Sequence, residues 1–256
     1  MADFILRAKN PARESGDENS SNLRKRAKED TTGVSPWKFI CNIPEDHKKP
    51  ETINRVAIFG FADAKEGDWL YEEAKTTAEV LAKEGYIIVD GGGPGVMKAA
   101  SQGAKMAGGK VIGVTFYPKD EMDFEGKDPT NEVDEEVITH NYVERTLRLL
   151  ERGQIYVIFN GGTGTISEFG MAWGLARLYF GHHKPLILYG DFWKEIIEAF
   201  KKNMKIRPEE LQVFKIVNSC HDVMKAITEF GQEIMEGKHE HIPIRISENA
   251  EGAFKL

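Results

Sequence analysis

The residues best suited to chemistry in this sequence are two glycine-rich turns, one arginine and one glutamate. Asn160-Gly161-Gly162-Thr163-Gly164-Thr165-Ile166-Ser167-Glu168 follows the apolar run IYVIF at 155–159, and Asp90-Gly91-Gly92-Gly93-Pro94-Gly95 follows YIIV at 86–89. A third turn, Gly60-Phe61-Ala62-Asp63, follows RVAIF. Glycines where a strand turns into a helix let backbone amides approach an anion, and the first N–H groups and dipole of the helix favour negative charge there. Thr163 and Thr165 add hydroxyl donors. The same glycines also serve tight turns and positive φ with no ligand at all. Neither turn fits a dinucleotide fingerprint or a P-loop, because the glycine spacing at 91–95 is wrong and no Gly-Lys-Ser/Thr occurs at 160–168. Hydride transfer and ATP hydrolysis are therefore disfavoured.

Glu168 closes Thr165-Ile166-Ser167-Glu168, a formal capping box in which it would only reach back to the amide of Thr165. A carboxylate in the first turn of a helix is also kept ionised by the dipole, and here it would lie beside the phosphate site, facing a sugar ring. Arg145 sits in NYVERTLRLLERG, where Val143, Leu147 and Leu150 are expected to be buried and Glu144, Arg148 and Glu151 to exchange ion pairs. Spacing alone makes Arg145 an ordinary solvated charge. The histidines predict no metal site: His182 and His183 are adjacent, His239 and His241 fall in a polar tail, and His140 ends a strand. No Ser-His-Asp set can be assembled from spacing. No cofactor is expected.

These residues need a scaffold, and the rest of the chain supplies one. Strands are expected near 55–60, 86–89, 111–115, 155–159 and 186–189, with weaker ones at 136–139 and 214–217. Over 67–84 the spacing of Leu70, Ala74, Thr77 and Leu81 predicts a helix stopped by Gly85. Pro94 suits the first turn of the next helix, which Gly108-Gly109 ends. This alternation demands crossover connections and predicts an α/β fold: a doubly wound parallel sheet, Rossmann-like, in three layers. Ligands bind such sheets at the carboxyl ends of the strands near the switch in strand order, where all three turns fall. Residues 117–134 form a long polar loop of the kind that shapes a site.

The chain has 256 residues, 41% of them hydrophobic, and a formal net charge of -7. That supports one large core and argues against coating a nucleic-acid polymer or an anionic membrane, leaving a small anionic ligand. Residues 1–50 read as a flexible polar arm, 51–236 as the nucleotide-binding domain and 237–256 as a polar tail. Cys41 and Cys220 show neither metal-ligand spacing nor a paired framework. The opening MADFILRAKN lacks a signal-peptide core and no later apolar run reaches spanning length, so a cytoplasmic address is expected.

Taken together, GGGPGVM at 91–97, Glu144-Arg145, Gly161-Gly162-Thr163-Gly164-Thr165 and Glu168 resemble the LOG (Lonely Guy) family, whose signature reads PGGxGTxxE. The resemblance runs from about 55 to 230. It implies a Rossmann-like homodimer acting as a nucleoside 5'-monophosphate phosphoribohydrolase, which releases a nucleobase and ribose 5-phosphate, with a purine nucleotide such as AMP favoured. By position it implies Arg145 and Glu168 as catalytic and Gly161, Gly162, Thr163, Gly164 and Thr165 as the phosphate loop. Gly60, Gly91, Gly92, Gly93 and Met97 complete the nucleotide site. The older label of lysine decarboxylase finds no support, since no lysine stands out as a pyridoxal anchor. This chain departs from the pattern at Asn160 for the motif's proline, Thr146 for a lysine, Ser167 for an acid, and Phe61-Ala62 for a small hydroxylic turn. Those departures bear on phosphate affinity and substrate identity. Two rival readings follow: a non-catalytic nucleotide or molybdenum-cofactor carrier or sensor, and ribosyl transfer to a nucleophile other than water. The run FGMAWGLARLYF, apolar on more than one face, suits either a dimer contact or deep burial.

Overall fold

Short runs rich in Val and Ile become strands because their side chains can be buried alternately on two faces. In the computed structural model, which describes residue 49 and residues 53–117, 126–176 and 184–236, seven such runs form one sheet. They are β1 Arg55–Phe59, β2 Ile87–Asp90, β3 Val111–Phe116, β4 Glu135–Thr139, β5 Ile155–Ile158, β6 Leu186–Tyr189 and β7 Phe214–Val217. All pair in parallel in the order β4-β3-β2-β1-β5-β6-β7. The strand order reverses direction between β1 and β5, which makes the crevice above their carboxyl ends the switch point.

Among the described residues six α-helices cover the sheet: α1 Trp69–Lys83, α2 Val96–Met106, α3 Tyr142–Arg152, α4 Thr163–Leu175, α5 Phe192–Asn203 and α6 Cys220–Glu236. Val56 and Ile58 face one core with Ala74, Ala99 and Ile227 of α1, α2 and α6. Ala57 and Phe59, their neighbours in β1, face the other core with Leu149, Phe169 and Trp193 of α3, α4 and α5. The period-two alternation thus produces the expected three layers. Every predicted strand is present, within a residue at either end.

Four local expectations change. Pro94 lies just before α2, not in its first turn; the N-cap is Gly95, at φ 63, a left-handed backbone that glycine adopts without penalty. On α3 the buried side chains are Arg145, Thr146, Leu149 and Leu150, while Val143 is 58% exposed. The buried face of the helix thus carries Leu149 and Leu150 together with the Arg145 guanidinium, which bonds to the carbonyls of Val114 and Gly91. α4 begins at Thr163 after the N-cap Gly162, so Glu168 lies in the second turn and not at the third position of a capping box. Cys220, which spacing gave no reason to pair, is disulfide-bonded, its partner lying outside the described residues. The arm expected at 1–50, apart from Lys49, and the tail at 237–256 also fall outside them, as do residues 118–125 of the polar loop and His182 and His183. No described helix is long and apolar enough to cross a membrane.

Candidate active site

A cleft of about 400 Å³ opens above β1, β2 and β5, at the switch point, within the size range of small-molecule sites. Its floor is an ion pair. Arg145 Nη1 lies 3.8 Å from Glu168 Oε1, and the two residues are only 7% and 8% exposed. The guanidinium is fixed from three directions: Nε donates to the carbonyl of Val114 at 3.0 Å, and Nη2 donates to the carbonyl of Gly91 at 3.1 Å and meets Met97 Sδ at 3.4 Å. A planar fork with this many partners holds one orientation, so Nη1 faces Glu168. The pattern of apolar residues on α3 hid this role, because a buried arginine follows the same helical period as a leucine.

One wall is the N-terminus of α4. Gly162 is extended, makes no side-chain cap, and no acid occupies the first turn. The amides of Thr163, Gly164 and Thr165 lack carbonyls one turn earlier, so the helix presents donors and positive dipole to the cleft. The neighbouring helix shows the contrast: at α3, Asn141 Oδ1 accepts from the amide of Glu144, and Glu144 accepts from the amide of His140. That end is closed by its own side chains. His140 itself is solvent-facing and paired with Glu144 at 2.9 Å.

The opposite wall is the turn after β2, and it is packed shut. The amide of Val96 donates to the carbonyl of Phe61, so the N-terminus of α2 is already occupied by the turn after β1. The carbonyls of Gly92 and Gly93 accept from the amide of Asp128 and from Asn131 Nδ2. Beneath the turn, fully buried Asp90 accepts from the amide of Gly92 and from Ser101 Oγ, both at 2.7 Å. Burial pushes the Asp90 carboxyl up to about 6, against the opposing pull of those two bonds and of Arg145.

Of the residues singled out from sequence, Gly60, Gly91, Met97, Arg145, Gly162, Thr163, Gly164, Thr165 and Glu168 line the cleft. Gly92 and Gly93 lie behind it. Gly161 backs the α4 turn, where an added Cβ would meet Thr165 Oγ1 at 2.1 Å. Ser167, Phe61 and Ala62, noted as departures, line the cleft as well; Phe59, Gly126 and Tyr142 were not foreseen. Tyr142 stands one turn before Arg145 on α3, a spacing that would have found it, and its hydroxyl lies 3.4 Å from the carbonyl of Gly164. Thr146, where the resembled family has a lysine, is fully buried and donates to the carbonyl of Tyr142. The position supplies no cation to the cleft. Among the described residues no cluster of three His, Cys, Asp or Glu is placed to hold a metal ion.

A buried carboxylate facing a fixed cation, beside an open helix N-terminus, can hold a phosphate and place negative charge near a carbon several ångströms away. Residues 54–214 match the model of the SLOG cluster4 family. The chain belongs to the SLOG cluster4 family. Among curated relatives, the cytokinin riboside 5'-monophosphate phosphoribohydrolase of Mycobacterium tuberculosis is 26% identical over 178 residues, which is 67% of this chain and 91% of that protein. The protein of the same name from Mycobacterium marinum is 32% identical over 125 residues, 48% of this chain and 64% of that one. The likeness to the LOG family read from the motifs is thereby borne out. Among solved structures, the molybdenum cofactor binding protein of Rippkaea orientalis shares the fold, with a TM-score of 0.51 and 24% identity over 71% of this chain and 97% of that one.

Proposed function

We propose that this SLOG protein is a nucleoside 5'-monophosphate phosphoribohydrolase, which adds water across the N-glycosidic bond to give free base and ribose 5-phosphate. The observation that carries the reading is the Arg145–Glu168 pair at 3.8 Å on the floor of a cleft walled by the uncapped α4 N-terminus. The relatives named as phosphoribohydrolases support it.

In this reading the 5'-phosphate sits on the amides of Thr163, Gly164 and Thr165 with the two threonine hydroxyls as further donors. Binding energy at that remote group holds C1' over Glu168. As the C1'–N bond lengthens, the sugar gains oxocarbenium character, and the carboxylate of Glu168 stabilises it. Glu168 takes a proton from the water whose oxygen bonds to C1', while the base leaves with the electron pair of the broken bond and picks up a proton. Arg145 keeps Glu168 ionised beside a phosphate dianion and holds its orientation. With Thr146 buried, Arg145 is the one cationic side chain lining the cleft among the described residues. A purine such as AMP is the favoured substrate. The homodimer belongs to the same proposal: Ile166, Gly170 and Gly174 are exposed at successive turns of α4.

The test is direct. Purified protein is incubated with AMP, GMP, CMP and UMP, and free base and ribose 5-phosphate are measured by chromatography. Turnover that disappears in Glu168→Gln supports the reading. Nucleotide binding without any base release favours the carrier, and exchange of an added second base into the nucleotide favours ribosyl transfer.

A further inference from the structure

An exposed apolar side chain on an open surface needs no explanation, but in a concave pocket the apolar and aromatic walls are what a ligand packs against. Of the large hydrophobic side chains exposed among the described residues, Phe61 alone lines the cleft, and it is 40% exposed. The other rings at the cleft are engaged: Phe59 stacks on Tyr156 with centroids 5.9 Å apart, and Tyr142 directs its hydroxyl to the carbonyl of Gly164. Phe61 meets no other ring among the described residues. Its backbone is held from both sides. The amide donates to the carbonyl of Asn160 at 2.9 Å, where the β5 turn begins, and the carbonyl accepts from the amide of Val96 at 3.0 Å. Gly95 packs so closely that an added Cβ would lie 2.3 Å from the Phe61 carbonyl oxygen. Phe61 is thereby fixed between the two glycine turns, in the same corner of the cleft as Met97, the residue after Val96.

We propose that Phe61 is the stacking platform for the nucleobase, and so a specificity-determining residue that favours purine over pyrimidine nucleotides. The assignment rests on the nucleotide reading of the cleft and deepens it. With the 5'-phosphate on the α4 amides and C1' over Glu168, the base is left to reach the remaining wall, where Phe61 and Met97 stand. Every base has a π face, and an aromatic ring binds that face without reading the base's edge; the two fused rings of a purine cover more of it than a pyrimidine does. Met97, whose sulfur already meets Arg145 Nη2, adds a second polarisable surface. Where the resembled family carries small hydroxylic residues in this turn, Phe61 and Ala62 give up hydroxyl donors and gain apolar area. That exchange moves binding energy from the phosphate end of the nucleotide to its base.

The experiment measures equilibrium binding by calorimetry in the full chain carrying Glu168→Gln, so that turnover does not consume the ligand, with Phe61 kept or changed to Tyr, Leu or Ser. The probes are AMP, CMP and ribose 5-phosphate, which has no base. Phe61→Ser is expected to raise the Kd for AMP about tenfold and that for CMP about threefold, and to leave ribose 5-phosphate within about twofold. Phe61→Tyr keeps the affinity for AMP, and Phe61→Leu, apolar but not aromatic, falls between. With Glu168 intact, Phe61→Ser raises KM for AMP and leaves kcat little changed. Equal weakening of AMP and ribose 5-phosphate overturns the inference, because it marks a displaced phosphate turn and not a lost stack. So does an affinity for AMP that Phe61→Ser leaves unchanged or that Phe61→Leu keeps in full. If ribose 5-phosphate binds too weakly to titrate, or Phe61→Ser fails to fold, the comparison of Tyr with Leu decides. A parent protein that binds no AMP overturns the platform and the nucleotide reading together. Failure of the hydrolase reading alone looks different: wild type then binds AMP and releases no base, while the order Phe, Tyr, Leu, Ser persists.

Discussion

The turns after β2 and β5 have similar sequences and opposite duties. In the β2 turn, a Cβ added at Gly91 would lie 1.6 Å from Arg145 Nη2 and 2.7 Å from Met97 Sδ, and one at Gly95 would lie 2.3 Å from the carbonyl oxygens of both Phe61 and Ala62. Those glycines exist so that other protein atoms can come close. In the β5 turn, a Cβ at Gly162 would meet nothing within 4 Å, and one at Gly164 only the Tyr142 hydroxyl at 3.5 Å. Here the space beside the glycines is left open. The two helices that follow repeat the difference: the N-terminus of α2 is filled by the Phe61 carbonyl, while that of α4 is uncapped. A glycine-rich turn before a helix is thus an anion site only where the chain leaves its amides unused.

If that contrast is right, the largest effect on function comes from the residue beneath the open turn. Glu168→Gln should lower base release by about 10³-fold, within the range expected for a general base, while circular dichroism and the melting temperature stay near wild type. Arg145→Ala is the poorer probe, since it leaves Glu168 buried without its cation and leaves the Gly91 and Val114 carbonyls without their donor.

The closed turn should instead fail through stability. Gly91→Ala is expected to cost about 3 kcal/mol in denaturant unfolding, because the new methyl occupies the place of a guanidinium held by three partners. A well-folded, fully active Gly91→Ala protein would mean that the turn is not packed as described.

Asp90 gives the closed turn a pH signature. In the folded chain its carboxyl is pushed up to about 6, whereas in the unfolded chain it titrates near the ordinary value of 3.8. Between those values the folded state holds a proton that the unfolded state has given up, so this group's contribution to stability is intact below about pH 4 and lost as pH rises through about 6. Asparagine carries no such loss. The stability of Asp90→Asn relative to wild type should therefore rise between pH 4 and pH 7.5 by up to roughly 3 kcal/mol, read as the difference between urea midpoints at the two pH values. A constant difference would show that Asp90 does not ionise in the folded protein.

The smallest change in stability belongs to the open turn. Gly162 has φ -90, a backbone that alanine adopts freely, and its missing Cβ faces empty space. Gly162→Ala should alter stability by less than about 1 kcal/mol and, in the hydrolase reading, raise KM for AMP about fivefold with kcat little changed. Opposite effects of the same Gly→Ala exchange at positions 91 and 162, one on stability and one on substrate binding, are the sharpest expression of the comparison.

Much of this was legible before any fold was known. Period-two runs such as RVAIF and IYVIF dictate strands buried on both faces, and the helix-length segments between them leave a parallel, doubly wound sheet as the arrangement that buries both; the glycines at 91–95 and 160–164 mark the ends of two of its strands. Those are local properties, set by side-chain volume, alternation and backbone freedom within a few residues. Tertiary structure alone decided which glycine turn stayed open, because the carbonyl that plugs α2 comes from Phe61, some 35 residues earlier in the chain. It also turned Arg145 from a surface charge into a buried one: its partners Gly91, Val114 and Glu168 lie on three other segments. Charge and hydrogen bonding across strands have no period in sequence, so although the motif resemblance named Arg145 and Glu168, their burial and their contact came only with the folded chain.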